Sequence, residues 1–284
     1  MQDRPFRQVD VFTATAYRGN PVAVVLRSDG LSDGQMQAFA RWTNLSETTF
    51  VLLPTEPAAD YRLRIFTPGG EMLFAGHPTL GSCHAWLGAG GTPKSDGFIT
   101  QQCGVGLVRI RRSGAQLSFA APILKRSDVA PAVLARVAAA LGQQATHISS
   151  AQLLDNGTTW LGILLDNPQR VLQLQPDFAQ LKALGQKVGV CATYDDVEPG
   201  GDAATLEVRG FAPHMGINED PVTGSLNASL AQWLISEGHV GAQYVAAQGS
   251  CLQRDGRVSL QRDSAGQVWV GGESVTCISG TVHI

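Results

Sequence analysis

The strongest constraint on how this chain can fold is that its two halves carry the same local signals in the same order. Phe66-Thr67-Pro68 is echoed by Phe211-Ala212-Pro213, and His77-Pro78-Thr79-Leu80-Gly81-Ser82 by Asp220-Pro221-Val222-Thr223-Gly224-Ser225. Each echo closes a strand-and-turn stretch and opens a helical one. The repeating unit takes about half of the 284 residues. Solenoid units are only about 20–50 residues long, so the duplication predicts two similar domains.

The flanking patterns support this. In the first half a hairpin is predicted over residues 6–12 and 21–26, turning near Tyr17-Arg18-Gly19-Asn20. Ser32 with Gln35 three residues later has the form of a capping box, which satisfies two orphan backbone donors at a helix start. Met36, Phe39 and Ala40 give that helix its apolar face. Strands follow over 48–53 and 61–66, then a turn at Gly69-Gly70, a helix from Pro78 and short strands over 98–102, 107–111 and 116–120. The second half repeats the order. Its strands fall near 147–153 and 158–165, a helix over 176–188, strands near 190–194 and 206–211, a long helix over 221–237 and closing strands through 275–282.

Short, mostly antiparallel strands with few helices predict an α+β protein with curved or barrel-like sheets. The domains are expected at residues 1–122 and 123–284, linked over 122–131, with the final strands able to cross back to the first domain. No GxGxxG follows a strand, so a dinucleotide fold has no support.

Bulk properties narrow the partners. A hydrophobic content of 44% with 16% charged residues suits a folded core. The net charge of −3 and the absence of a basic block argue against nucleic acid or an anionic membrane surface. The apolar runs at 22–26 and 160–165 are too short to span a bilayer, and Met1-Gln2-Asp3-Arg4 lacks the start of a secretory signal. Cys83, Cys103, Cys191, Cys251 and Cys277 are scattered and form no CxxC pair. They read as free thiols in a reducing compartment. A cytoplasmic protein acting on a small molecule is expected, with the oligomeric state open and a homodimer compatible.

Two helix starts and one glutamate are the candidates for chemistry. Proline favours the first helical position, which puts His77 and Asp220 at the N-caps of their helices. Aspartate is a good N-cap and needs no further role to stand there. Histidine is not a favoured cap, so His77 calls for another explanation. Exposed N–H groups and the helix dipole make such a terminus an anion site. Two of them facing one another across a pseudo-twofold axis would hold a small carboxylate-bearing molecule. Gly81 and Gly224 are read as lying one turn inside these helices, where glycine costs about 1 kcal/mol relative to alanine; close packing against strands would account for it.

Glu47 lies between an amphipathic helix and an apolar strand, beside Ser46, Thr48 and Thr49. A carboxylate entering an apolar stretch loses hydration, which suits it to take up and return a proton. The alternative is a solvated charge at a helix end or strand edge. His77 and His84 could share a helical face, but no third ligand is evident, so no metal site is expected. Ser46 and Ser225 lack the Gly-x-Ser-x-Gly context of a nucleophile elbow.

Taken together, Asp10-Val11-Phe12-Thr13, Arg18-Gly19-Asn20-Pro21, Asn44-Leu45-Ser46-Glu47-Thr48, Phe66-Thr67-Pro68, Gly76-His77-Pro78-Thr79 and Glu219-Asp220-Pro221-Val222-Thr223-Gly224-Ser225 resemble the PhzF-like phenazine-biosynthesis family. The matches fall in order over nearly the whole chain. The resemblance implies the diaminopimelate-epimerase-like fold, two similar domains each wrapping strands around a central helix, with the active site in the cleft between them. It also implies an isomerase that shifts a hydrogen within a small cyclic amino acid, dihydro-hydroxyanthranilate in the phenazine pathway, with no metal or organic cofactor. By position the family's catalytic glutamate falls on Glu47. Its substrate contacts fall on His77, Asp220 and Ser225, with Gly76 offering a backbone N–H. Racemases and epimerases of the same fold commonly use two cysteines at the helix starts, and neither stretch here contains one. A lyase, racemase or epimerase of the same fold, or a small-molecule binder without catalysis, stay open as other readings.

Overall fold

A computed structural model describes residues 1–194 and 203–284. In chain order the elements are β1 (Asp3–Val11), β2 (Asn20–Val25), α1 (Asp33–Thr43), β3 (Thr48–Leu52), β4 (Tyr61–Thr67), β5 (Gly70–Met72), α2 (Gly76–Gly88), β6 (Phe98–Cys103), β7 (Gly106–Ser113) and β8 (Gln116–Ala120). Then come β9 (Lys125–Asp128), α3 (Pro131–Ala140), β10 (Ile148–Asp155), β11 (Thr159–Leu165), α4 (Pro168–Gln173), α5 (Phe178–Leu184), β12 (Val188–Thr193), β13 (Leu206–Ala212), β14 (Ile217–Asp220), α6 (Gly224–Glu237), β15 (Gln243–Gln248), β16 (Gly256–Arg262), β17 (Val268–Gly272) and β18 (Ser274–His283). Two compact units result: one of residues 1–120 with 271–284, the other of residues 121–270. No helix among the described residues is long and apolar enough to cross a membrane.

The first unit is a sheet in the order β18, β1, β2, β3, β4, β6, β7, β8, antiparallel except for β2 with β3 and β4 with β6. β5 folds back on the far end of β4 as a tight hairpin. The second unit runs β9, β10, β11, β12, β13, β15, β16, again parallel only at two places, β11 with β12 and β13 with β15. β14 is hairpinned on β13 as β5 is on β4. The two orders match strand for strand from β18 through β7 and from β9 through β16. The position that β9 holds beside β10 is taken in the first unit by β18, the last strand of the chain.

Each sheet curves around one helix. α2 touches β1, β2, β3, β4, β8 and β18, and α6 touches β10, β11 and β16. Their sequences explain why these two are central. Gly76–Cys83 is buried without a break, as is Leu226–Leu234 apart from Gln232, so neither helix presents a wide wet face. A helix that is apolar or small all round is a buried helix. α1 is the opposite case. Its Ser32 capping box forms as the sequence predicts, and only Met36 and Ala40 are buried, in a core with Val25, Phe50 and Phe66. The outer layer of the second unit is built by α3, α4 and α5, whose Val137, Val171 and Leu181 close over Leu161, Val190 and Phe211.

The structure corrects several sequence readings. The helix expected over 176–188 is shorter, α5 alone, because Asp177 caps it through the Gln180 N–H and Gly185 ends it with a left-handed turn; α4, just before it, was not expected. Pro131, read as the end of the link, instead opens a helix that the sequence reading did not include, α3, with the proline at its first turn. His77 is not an N-cap. The cap is Ala75, with extended backbone and no side-chain bond, and His77 lies inside the first turn. Pro78 is tolerated at the third helical position because the first four N–H groups of any helix lack an intrahelical partner. Asp220 is not an N-cap either. It ends β14, and Thr223 precedes the first helical residue, Gly224. Gly224 therefore opens α6 rather than lying one turn inside it.

Gly81 does lie one turn inside α2. A β-carbon there would come within 2.4 Å of Val22 Cγ1 and 2.9 Å of Val11 Cγ2. Gly88, at the end of the same helix, has nothing within 4 Å. Overpacking typically costs 1–3 kcal/mol, while glycine-to-alanine gains about 1 kcal/mol in a helix. An approach as close as 2.4 Å puts the cost at the upper end of that range, so Gly81→Ala is expected to lower stability by about 2 kcal/mol and Gly88→Ala to leave it equal or higher, as read by urea unfolding. A Gly81→Ala protein as stable as the parent would refute the close approach of α2 to β1 and β2.

Candidate active site

Glu47 stands in the short connection from α1 to β3, and its neighbours fix that connection tightly. Asn44 ends α1 in the left-handed region, at φ 53°, with its N–H on the Ala40 carbonyl. The hydroxyls of Thr43 and Thr48 lie 2.8 Å apart and close the loop across its base. The Glu47 carbonyl accepts from the Ala23 N–H at 3.5 Å, just where β2 and β3 begin to pair. Thr49 then reaches Ser82 of α2, hydroxyl to hydroxyl at 2.8 Å, tying β3 to the central helix.

That tie brings two sequence candidates together. Glu47 Oε2 is 3.3 Å from His77 Nε2, and the two side chains are only 13% and 7% exposed. Glu47 is thus shielded, not a solvated strand-edge charge. An imidazole at this distance can pair with the carboxylate or exchange a proton with it. Gly76, the first helical residue, is buried beside His77.

The second unit carries Asp220 and Ser225. Asp220 Oδ2 accepts from the Thr223 hydroxyl at 2.7 Å. Ser225 Oγ accepts from Trp160 Nε1 at 3.1 Å, and its carbonyl accepts from Asn156 Nδ2 at 2.9 Å. The indole fixes the serine oxygen in place and leaves donation to the hydroxyl hydrogen.

One supporting residue in each unit escaped the sequence reading. Gln248 accepts from the Thr223 N–H and from Asn227 Nδ2, both at 2.9 Å, and donates to the Asp220 carbonyl and the Thr223 hydroxyl. It performs the capping that Thr223's own side chain does not. In the first unit Gln101 donates to Thr79 Oγ1 of α2 at 3.0 Å and accepts from the Tyr61 hydroxyl at 3.0 Å. A signal was present: Ile99 and Gln101, like Ala246 and Gln248, alternate onto the buried face of their strands, so each glutamine is a polar residue at a core position.

The remaining candidates separate. His84 does not join His77; its Nε2 lies 3.0 Å from Thr276 Oγ1. No group of three His, Cys, Asp or Glu among the described residues could hold a metal ion. Cys83, on the same helix as His77, is buried, and burial pushes its thiol up to about 12. It is therefore a protonated core residue, not a base.

The chain as a whole is similar to known proteins. The family model for phenazine biosynthesis-like proteins matches residues 9–280. The chain belongs to that family, and it is an isomerase. The trans-2,3-dihydro-3-hydroxyanthranilate isomerase of Pseudomonas chlororaphis is 32% identical over 96% of this chain and 97% of its own. Antisense-enhancing sequence 1 of Schizosaccharomyces pombe is 38% identical over the full length of both chains. Among solved structures, a phenazine biosynthesis protein of the PhzF family from Enterococcus faecalis aligns over 100% of both chains with a TM-score of 0.82 at 27% identity.

Burial also sets a pH limit on the first unit. It holds the His84 ring below the usual histidine range. A base depressed in the folded state binds fewer protons there than in the unfolded chain, so stability rises with pH across that window. The contribution is complete above the unfolded value of about 6.5 and is lost as pH falls through the folded one. His84→Gln, which keeps a polar partner for Thr276, should flatten stability against pH below about 6.5, measured by urea unfolding at stepped pH. An unchanged slope would assign the loss to another group.

Proposed function

We propose that this isomerase shifts a proton within a small, cyclic amino or carboxylic acid, with Glu47 as base and then acid. The observation that carries the proposal is the shielded contact of Glu47 with His77 in the first turn of α2, 3.3 Å from oxygen to nitrogen. Glu47 as carboxylate takes a proton from a carbon next to a double bond. The C–H electron pair moves into the conjugated system, the double bond shifts, and the new acid returns the proton to a different carbon. Atoms and electrons balance with no oxidant, reductant or second substrate, so no step is assigned to a metal or organic cofactor.

His77 polarises the substrate beside Glu47, and the Gly76 N–H offers a backbone donor. Asp220 and Ser225, from the second unit, bind its amino and carboxylate or hydroxyl groups. The five unpaired thiols fit a reducing compartment, the cytoplasm. Cysteine-based racemisation is disfavoured, since Ala75-Gly76-His77-Pro78 and Asn218-Glu219-Asp220-Pro221 hold no thiol.

The natural probe is trans-2,3-dihydro-3-hydroxyanthranilate, named for the Pseudomonas chlororaphis relative. Glu47→Gln keeps the side chain's size and removes the base. A positioned acid–base group contributes roughly 10²–10⁴-fold, so kcat should fall by that factor while the melting temperature holds and the probe still binds. Exchange of the probe's carbon-bound hydrogen with deuterated solvent should stop as well. Exchange at the parent rate in Glu47→Gln would overturn the assignment.

A further inference from the structure

The duplication contains one more matched assembly, which the chemistry above does not use. In the first unit Arg64 of β4 grips Glu71 of β5 with two parallel bonds, Nε to Oε1 at 2.7 Å and Nη2 to Oε2 at 2.6 Å. Its guanidinium lies over the Phe66 ring, 5.1 Å from the centroid. In the second unit Arg209 of β13 grips Glu219 of β14 in the same way, at 2.9 and 2.8 Å, and lies 5.1 Å from the Phe211 centroid. Each pair locks the hairpin that leads into a central helix.

The second pair is the more deeply placed, with both side chains 6% exposed. Arg209 spends its Nη1 on the carbonyls of Val171 and Leu174, at 3.1 and 2.9 Å, which fastens the hairpin to the end of α4. A buried ion pair is a poor source of net stability, because well-packed apolar residues of similar volume often serve as well or better. What it supplies is geometry. Bidentate arginine–carboxylate contacts fix both distance and plane.

Glu219 immediately precedes Asp220 in β14, and adjacent strand residues point to opposite faces. A carboxylate gripped on one face therefore sets the direction of its neighbour on the other. There Asp220 meets the Thr223 hydroxyl at 2.7 Å, and its carbonyl meets Gln248 Nε2 at 3.0 Å. We infer that Arg209 and Glu219 are positioning residues for Asp220, holding β14 so that the Asp220 carboxylate is oriented before substrate arrives. This rests on the reading of Asp220 as a substrate contact.

The test separates orientation from stability. The double variant Arg209→Met with Glu219→Met removes both charges together and should melt close to the parent. Misplacing a contact by about 1 Å can cost on the order of 100-fold. With trans-2,3-dihydro-3-hydroxyanthranilate, KM should therefore rise by roughly 10–100-fold with kcat moved less. Amide exchange over residues 217–223 should quicken. Parent-like KM together with parent-like exchange over that segment would reduce the pair to scaffold and overturn the inference.

Asp220→Asn distinguishes the two failures. If it leaves KM unchanged, the substrate-contact reading falls, and the exchange measurement alone decides whether the pair orders β14. If it raises KM while the double variant does not, the positioning inference falls and the contact reading stands. Should the double variant fail to fold, Arg209→Lys takes its place. It keeps the charge but not the two parallel bonds and is expected to raise KM; an unmoved KM there is equally fatal.

Discussion

The burial of α2 and α6 is the constraint from which the rest of each unit follows. A helix without a wet face leaves its first N–H groups with no water to bond, so neighbouring strands must supply polar partners inside the core. Gln248 meets that demand by accepting from the Thr223 N–H, while Gln101, on the matching strand of the first unit, donates to the Thr79 hydroxyl. Polar side chains are thereby concentrated at the helix starts, while the remaining lengths of the helices pack against apolar strands. His77 and Asp220 stand at these two places, one just inside a helix and one just before it. Each of these proposed site residues stands where its own unit already had to tolerate polarity.

Each candidate residue has a supporting contact beside it. Thr43 with Thr48, Arg209 with Glu219, and Trp160 with Ser225 make contacts that hold backbone or oxygen atoms still. The neighbouring Glu47, Asp220 and the Ser225 hydroxyl are thus presented from rigid supports. Preorganisation of this kind costs nothing at the moment of reaction. It is also why residues with no part in proton transfer are tied closely to those proposed to have one.

Much of the fold was legible in the sequence. Alternating strands, the Ser32–Gln35 capping box and the two echoed motifs located most elements, and the motif series identified the family. The helix starts were misplaced because proline was assigned to the first position: Pro78 is the third residue of α2, and Pro221 lies before α6 altogether. α3 was missed because Pro131 was read as part of a linker, not as a helix opener. The contact between Glu47 and His77 had no sequence signature. They are far apart in the chain, and their meeting depends on the parallel pairing of β2 with β3 and on the Thr49–Ser82 tie. Spacing alone left Glu47 open between a desolvated carboxylate and a solvated strand-edge charge; the motif series resembling the family pointed to it as the catalytic glutamate.

The return of β18 to the edge of β1 has a consequence for biogenesis. The whole of the second unit is translated before the strand that finishes the first. Until then β1 has only β2 beside it, and its other edge exposes unpaired amides to any strand that passes. The nascent first unit therefore waits, open along one side, while the second is synthesised and can fold ahead of it. In this chain the half that begins first is the half completed last.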